Sequence, residues 1–221
     1  MDDILKHSRF YMTTVTFLVE DCLFRVPRGP FETESTVFRD MFLLPTGDQD
    51  VLEGSSDANP IQLEGIKKDD FEQLLKVLYP YYCSREPEQP AGREQWTSVL
   101  KLSALWMLEQ VRQIAINALA SVDLTAVERL VLAMEYDITD WFIPAVNDIA
   151  RRPEPIGMED VNHLGVEVAL KIAAVREQLT FKVVQEHSKS RKPFHVYEFT
   201  VGPRHAQNLD FTPCIRDIFN L

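Results

Sequence analysis

Five histidines, three cysteines and thirty-four carboxylates are this chain's supply of metal ligands, nucleophiles and general acids and bases. Their spacing assembles none of those chemistries. His7, His163, His187, His195 and His205 are scattered, with no second imidazole four residues away and no HExxH arrangement to aim two rings at one ion. Cys22, Cys83 and Cys214 are odd in number, far apart and without a CxxC pair, so they predict free thiols rather than a disulfide framework or a zinc site. Gly-x-Ser-x-Gly is absent, and the eight glycines contain neither GxGxxG nor a P-loop to cradle phosphate.

Carboxylates cluster at Asp48, Asp50 and Glu53 and again at Asp69, Asp70 and Glu72. General acid–base work needs such groups held in a cleft with shifted pKa values. The first cluster falls in a polar loop and the second in the first turn of a helix, where solvation and capping account for them. The stretch from 48 to 57 also lacks the ligand order of an EF-hand. The expectation is a chain without catalytic residues, cofactor or metal, and so not an enzyme with a small-molecule substrate.

Composition narrows the partners. Apolar residues make up 45% and charged residues 26%, the balance of an ordinary soluble globular protein. A net charge of -11 repels phosphate backbones and argues against nucleic acid. Lys189, Arg191 and Lys192 form the one basic cluster, and it reads as a solvated loop. No apolar run approaches the roughly 20 residues of a membrane span. The start, MDDILKHSRFYMTT, is not built as a secretory signal. The expected setting is intracellular, cytoplasmic or nuclear, with no membrane partner.

The elements that would position any functional side chain follow from periodicity. Residues 14–19 and 23–26, rich in β-branched and aromatic types and separated by Glu20-Asp21-Cys22, predict a hairpin. From Glu32 to Phe42 helical spacing returns, with Phe31, Val37, Phe38, Met41 and Phe42 on one broad face. Residues 45–59 are loop, and 61–63 a short third strand behind Pro60. Asp69-Asp70 open a helix whose Phe71, Leu74, Leu75 and Leu78 repeat at i, i+3, i+4 and i+7, and Pro80 ends it. Trp96 to Ala120 carries too many apolar positions for one stripe and predicts two helices bent near 107–110. Trp96, Trp106 and Trp141 fall on apolar helical faces and predict core packing. Phe10 and Tyr11, ahead of the first strand, are the aromatic pair best placed for an exposed contact.

This ordered series resembles a BTB/POZ domain. Within residues 24–42, FRVPRGPFETESTVFRDMF, Arg28, Phe31, Ser35, Val37 and Phe38 stand where that family has a basic residue, a hydrophobic residue and Ser-x-Val/Tyr-Phe. Phe71, Leu74, Leu75, Leu78 and Tyr79 match its central helix. Val99, Leu100, Ala104, Leu108, Ala118 and Leu119 match its final helix pair. The resemblance spans about residues 10–121 and implies an α+β fold.

Residues 123–179 are helical in character. Asp123 or Thr125 caps a first helix, a second starts near Asp140-Trp141 and stops at Arg151-Arg152-Pro153, and a third follows Glu159-Asp160. The run Leu164 to Ala173, Leu-Gly-x-Glu-x-Ala-Leu-Lys-x-Ala, is similar to one in the helices that follow BTB domains in a large fungal, basidiomycete-type family. The expected organisation is a BTB/POZ domain over 1–121, an all-α helical extension over 122–180, and a tail over 181–221. In the tail Phe194 to Phe199 alternates like a strand, and Pro213 to Phe219 suits a short helix.

The resemblance implies a non-catalytic module that binds protein partners and forms a homodimer. Its seam would use Phe10, Tyr11, Phe17, Phe31, Val37, Phe38 and Met41. Many dimeric members place an Asp before the first strand and a His after the second to build a charged pocket. Thr14 and Pro27 occupy those places here, so co-repressor recruitment through that pocket is not expected. The alternative is a substrate adaptor that binds a cullin of a ubiquitin ligase through Phe71, Tyr79, Tyr81 and Tyr82. Against it, Tyr79-Pro80-Tyr81 replaces the usual Tyr-Thr-Gly, and no kelch- or MATH-type substrate domain is evident.

Overall fold

In TVTFLV Val15, Phe17 and Val19 recur at every second position, and β1 (Thr14–Val19) buries all three, with Thr16 buried as well. The computed structural model describes residues 5–7, 11–44, 53–81, 86–187 and 209–221. Glu20 adopts a left-handed backbone (φ 53) that closes a two-residue turn into β2 (Cys22–Pro27). The hairpin is in antiparallel register from Thr14↔Pro27 to Val19↔Cys22. β3 (Ile61–Gln62) pairs in parallel with the other side of β1, so the sheet order is β2-β1-β3 and β2 lies on an edge. Pro60 immediately precedes β3, where its missing N–H removes no ladder bond.

The helical run expected from 32 to 42 is two helices, α1 (Gly29–Glu34) and α2 (Thr36–Leu43). Ser35 interrupts them with extended backbone (φ -116, ψ 121), and its hydroxyl accepts a hydrogen bond from the Phe38 N–H at 3.1 Å. This is an N-cap in mid-pattern. The interruption resets the helical phase, so Val37 turns to solvent while Phe31 and Phe38 go inside.

α3 (Lys68–Leu78) begins where the Glu20 carboxylate accepts the Lys68 N–H at 3.1 Å, with Asp69 and Asp70 in the first turn. It ends at Leu78, two residues before Pro80. α4 (Gly92–Leu105) and α5 (Glu109–Ala120) are separated at Trp106–Leu108, where Met107 takes φ 52. The core of this first unit, Met1–Asp123, combines aliphatic side chains such as Leu74, Leu100 and Leu119 with an aromatic cluster. Phe17 lies 5.1 Å from Phe31, 5.6 Å from Phe38 and 5.5 Å from Phe71, while Trp106 meets Phe38 at 5.2 Å and Phe71 at 5.9 Å. Edge-on and tilted contacts of this kind add to the burial of each ring.

The second unit spans Leu124–Leu221. α6 (Ala126–Glu135) opens with a capping box between Thr125 and Glu128. α7 (Thr139–Arg151) tolerates Pro144 on an exposed position of its second turn. The single helix expected after Glu159-Asp160 is again two, α8 (Met158–Leu164) and α9 (Val166–His187), because Gly165 sits between them at φ 79. α10 (Thr212–Phe219) is part of this unit's core rather than a separate tail. Phe211, Cys214 and Ile215 pack with Leu130, Val146, Ile149 and Ile172. The strand expected at Phe194 to Phe199 lies outside the described residues.

Candidate protein-interaction surface

Two helix breaks meet in the first unit, and their meeting decides which apolar side chains reach solvent. Ser35 and Leu108 form an isolated antiparallel bridge, and the Ser35 hydroxyl donates to the Trp106 carbonyl at 2.6 Å. The start of α2 is thereby held against the α4–α5 break. Val37 is 38% exposed and Met107 62% exposed, and the Thr36 hydroxyl lies 3.5 Å from the Met107 sulfur. Left-handed backbone at a residue other than glycine costs on the order of 1–3 kcal/mol and persists only where the surroundings impose it. Here it keeps an unbranched, polarisable side chain at the surface.

The rest of α2 is anchored. The Arg28 guanidinium bonds Glu32 at 2.7 Å and lies 4.1 Å from the Phe42 ring centroid, so the two short helices are tied across their far ends. Met41 is half-buried, and Leu43 and Leu44 are exposed. Before β1, Tyr11 and Met12 are exposed, with the Lys6 ammonium 4.7 Å from the Tyr11 ring.

The residues expected at an interface divide accordingly. Tyr11, Val37 and, in part, Met41 are accessible. Phe17, Phe31 and Phe38 are not: they fill the aromatic core and can touch no partner of the folded unit, which corrects their assignment to a seam. Phe71 is likewise core, not adaptor face. Tyr79 is half-buried and its hydroxyl donates to the Pro27 carbonyl at 2.5 Å, whereas Tyr81 is 68% exposed. Phe10 and Tyr82 lie outside the described residues. Sequence reasoning missed Met107. Periodicity predicts the bend at 107–110 but does not say which side chain a break presents.

Thr14 and Pro27 are direct cross-strand partners. Neither is ionisable, and the Pro27 carbonyl is held by Tyr79, so the position carries no charge for a partner to read.

Shifted carboxylates sit at structural contacts rather than in a cleft. The Lys68 ammonium holds Asp21 below the usual aspartate range, Lys171 does so for Glu167, and a bond from Thr212 does so for Asp210. Asp160 is lowered chiefly by the Arg152 guanidinium, which grips both of its oxygens. Among the described residues no three His, Cys, Asp or Glu side chains are grouped to hold a metal, and no helix is long and apolar enough to cross a membrane.

A family model for the BTB/POZ domain matches residues 3–121, more than half of the chain. Comparison with curated proteins returns no match.

Proposed function

The chain belongs to the BTB/POZ family, whose domain is a protein-interaction module and generally not a catalyst, and on that premise we propose that the first unit joins a second copy of itself. The contact uses the start of α2 and the α4–α5 break, with Val37 and Met107 at its centre and Met41 and Tyr11 contributing. The observation that carries this reading is the exposed, backbone-strained Met107 beside exposed Val37. A two-fold axis makes such a patch its own complement. Because Thr14 and Pro27 bring no charge, association rests on apolar contact and depends weakly on salt. Size exclusion coupled to light scattering tests this at micromolar concentration. A mass near twice the 25.5 kDa of the chain is expected, and a monomer mass at every loading overturns the reading.

A second reading, adaptor to a cullin, is favoured by Tyr81 alone, which stands exposed just beyond α3. Surface plasmon resonance against a cullin N-terminal domain tests it, with Tyr81→Ala expected to abolish any signal. The helical unit, with its run from Leu164 to Ala173, supports kinship with the fungal proteins that carry helices after the domain, in an intracellular setting.

A further inference from the structure

Among the described residues no strand pairs with the outer edge of β2, and a groove lies beside it. The Arg28 N–H donates to the Thr13 carbonyl at 2.8 Å, whereas on the other side of β1 the Thr16 N–H donates to Gly54 at 2.8 Å and the Leu63 N–H to Leu18 at 2.9 Å. Odd-numbered residues of β1 therefore bond β2, and even-numbered ones face β3, the alternation that antiparallel pairing imposes. With Phe17 opposite Phe24 and Val15 opposite Val26, Cys22, Phe24 and Val26 turn their amide groups inward to β1. Leu23 and Arg25 turn theirs outward. The Leu23 carbonyl receives only a 3.9 Å contact from the Cys22 thiol. Pro27, the next outward position, has no N–H, and Tyr79 holds its carbonyl.

Between this edge and α3 lies a groove of about 370 Å³. Phe24, Leu75 and Pro80 are part of its apolar lining, with Leu23, Val26 and Tyr79. Its two cations are already neutralised, Arg25 by Asp57 at 2.7 Å and Lys76 by Glu72 at 3.1 Å. Glu88 is exposed with no ion-pair partner among the described residues, so it supplies the groove's residual charge. The chain as a whole is also acidic, at -11.

We propose that the β2 edge and this groove bind an extended, basic segment of a partner protein by strand addition. The added strand takes main-chain bonds from Leu23 and Arg25, places an apolar side chain between Phe24 and Leu75, and presents a lysine or arginine to Glu88. Main-chain pairing supplies affinity in this mode and alternate side chains supply selectivity. The surface uses β2 and α3, not Val37 or Met107, so it stands or falls independently of self-association.

The probe is a fluorescein-labelled eight-residue peptide alternating valine and lysine, titrated into the full chain by anisotropy, with hydrogen exchange read at Leu23 and Arg25. Saturable binding that slows exchange at both amides is expected. A peptide of equal charge with every second amide N-methylated should bind at least tenfold more weakly. Leu23→Pro removes an outward donor without touching the β1 ladder and should cost the same factor. Glu88→Lys should weaken the lysine peptide and strengthen its glutamate counterpart, and it keeps the test open if Leu23→Pro misfolds. Equal binding of the N-methylated peptide, or no binding at all, overturns the proposal. So does slowed exchange at these amides with rising protein concentration and no peptide, which would put a second copy on the edge.

Discussion

The Ser35 hydroxyl donates to the Trp106 carbonyl at 2.6 Å across 71 residues of sequence, and the same oxygen accepts the Phe38 N–H at 3.1 Å. One buried side chain thus caps α2 and staples it to the α4–α5 break. Ser35→Ala leaves two buried backbone groups short of a partner. The expected loss is roughly 2–3 kcal/mol, more than a solvent-exposed cap alone is worth. Urea denaturation of the full chain checks it.

Met107→Gly separates folding from association. Glycine adopts φ 52 without strain, so stability should stay within about 1 kcal/mol of the parent even though a side chain is lost. The light-scattering mass should nevertheless shift toward monomer. A variant that melts normally and still dimerises would remove Met107 from the seam.

Phe71→Asp should unfold the first unit. The carboxylate would replace a ring packed against Phe17, Phe24 and Trp106, with a cost on the order of 4 kcal/mol or more. Leu75→Asp should cost much less, because Leu75 is half-buried and lines the open groove beside β2. Thermal melts of the two variants measure the difference directly.

Gly54→Ala should destabilise the sheet by roughly 1–3 kcal/mol. Gly54 holds φ +78, and an added Cβ would lie 2.9 Å from both the Val15 and Ile61 side chains. Its carbonyl also accepts the Thr16 N–H and its own N–H donates to Asn59, so the backbone has little freedom to move away. A lowered denaturation midpoint with unchanged helical circular dichroism is the expected result.

The second unit should lose stability in acid through Asp160. Its ordinary pKa of 3.8 is lowered in the folded state by Arg152, with help from the Gly157 N–H against the cost of burial. A depressed carboxyl contributes stability that is complete above 3.8 and is lost as pH falls through the folded value. Asp160→Asn should flatten that dependence. Denaturation midpoints at neutral pH and below pH 3 decide it, and an unchanged slope in the variant would assign the acid sensitivity to other groups.

Element types in this protein were legible because they rest on local physics. Alternation over residues 14–19, the acidic first turn before Phe71 and the Thr125 cap each act within a few residues, and the corresponding elements formed. The surplus of apolar positions between Trp96 and Ala120 likewise required a break. Sequence spacing could not tell a ring that packs inside from one that meets a partner, because burial depends on contacts such as Phe31 with Phe38 and Phe38 with Trp106. Helical spacing runs straight through Ser35, yet its bond to Trp106 makes it the boundary between two helices, and the positive φ of Gly165 separates α8 from α9. Tertiary structure decided the exposed set: Val37 reached solvent because the helix restarted beside it, and Met107 because two breaks had to meet. Hydrophobic spacing reports which residues leave water, and only the packed chain decides what they find on the other side.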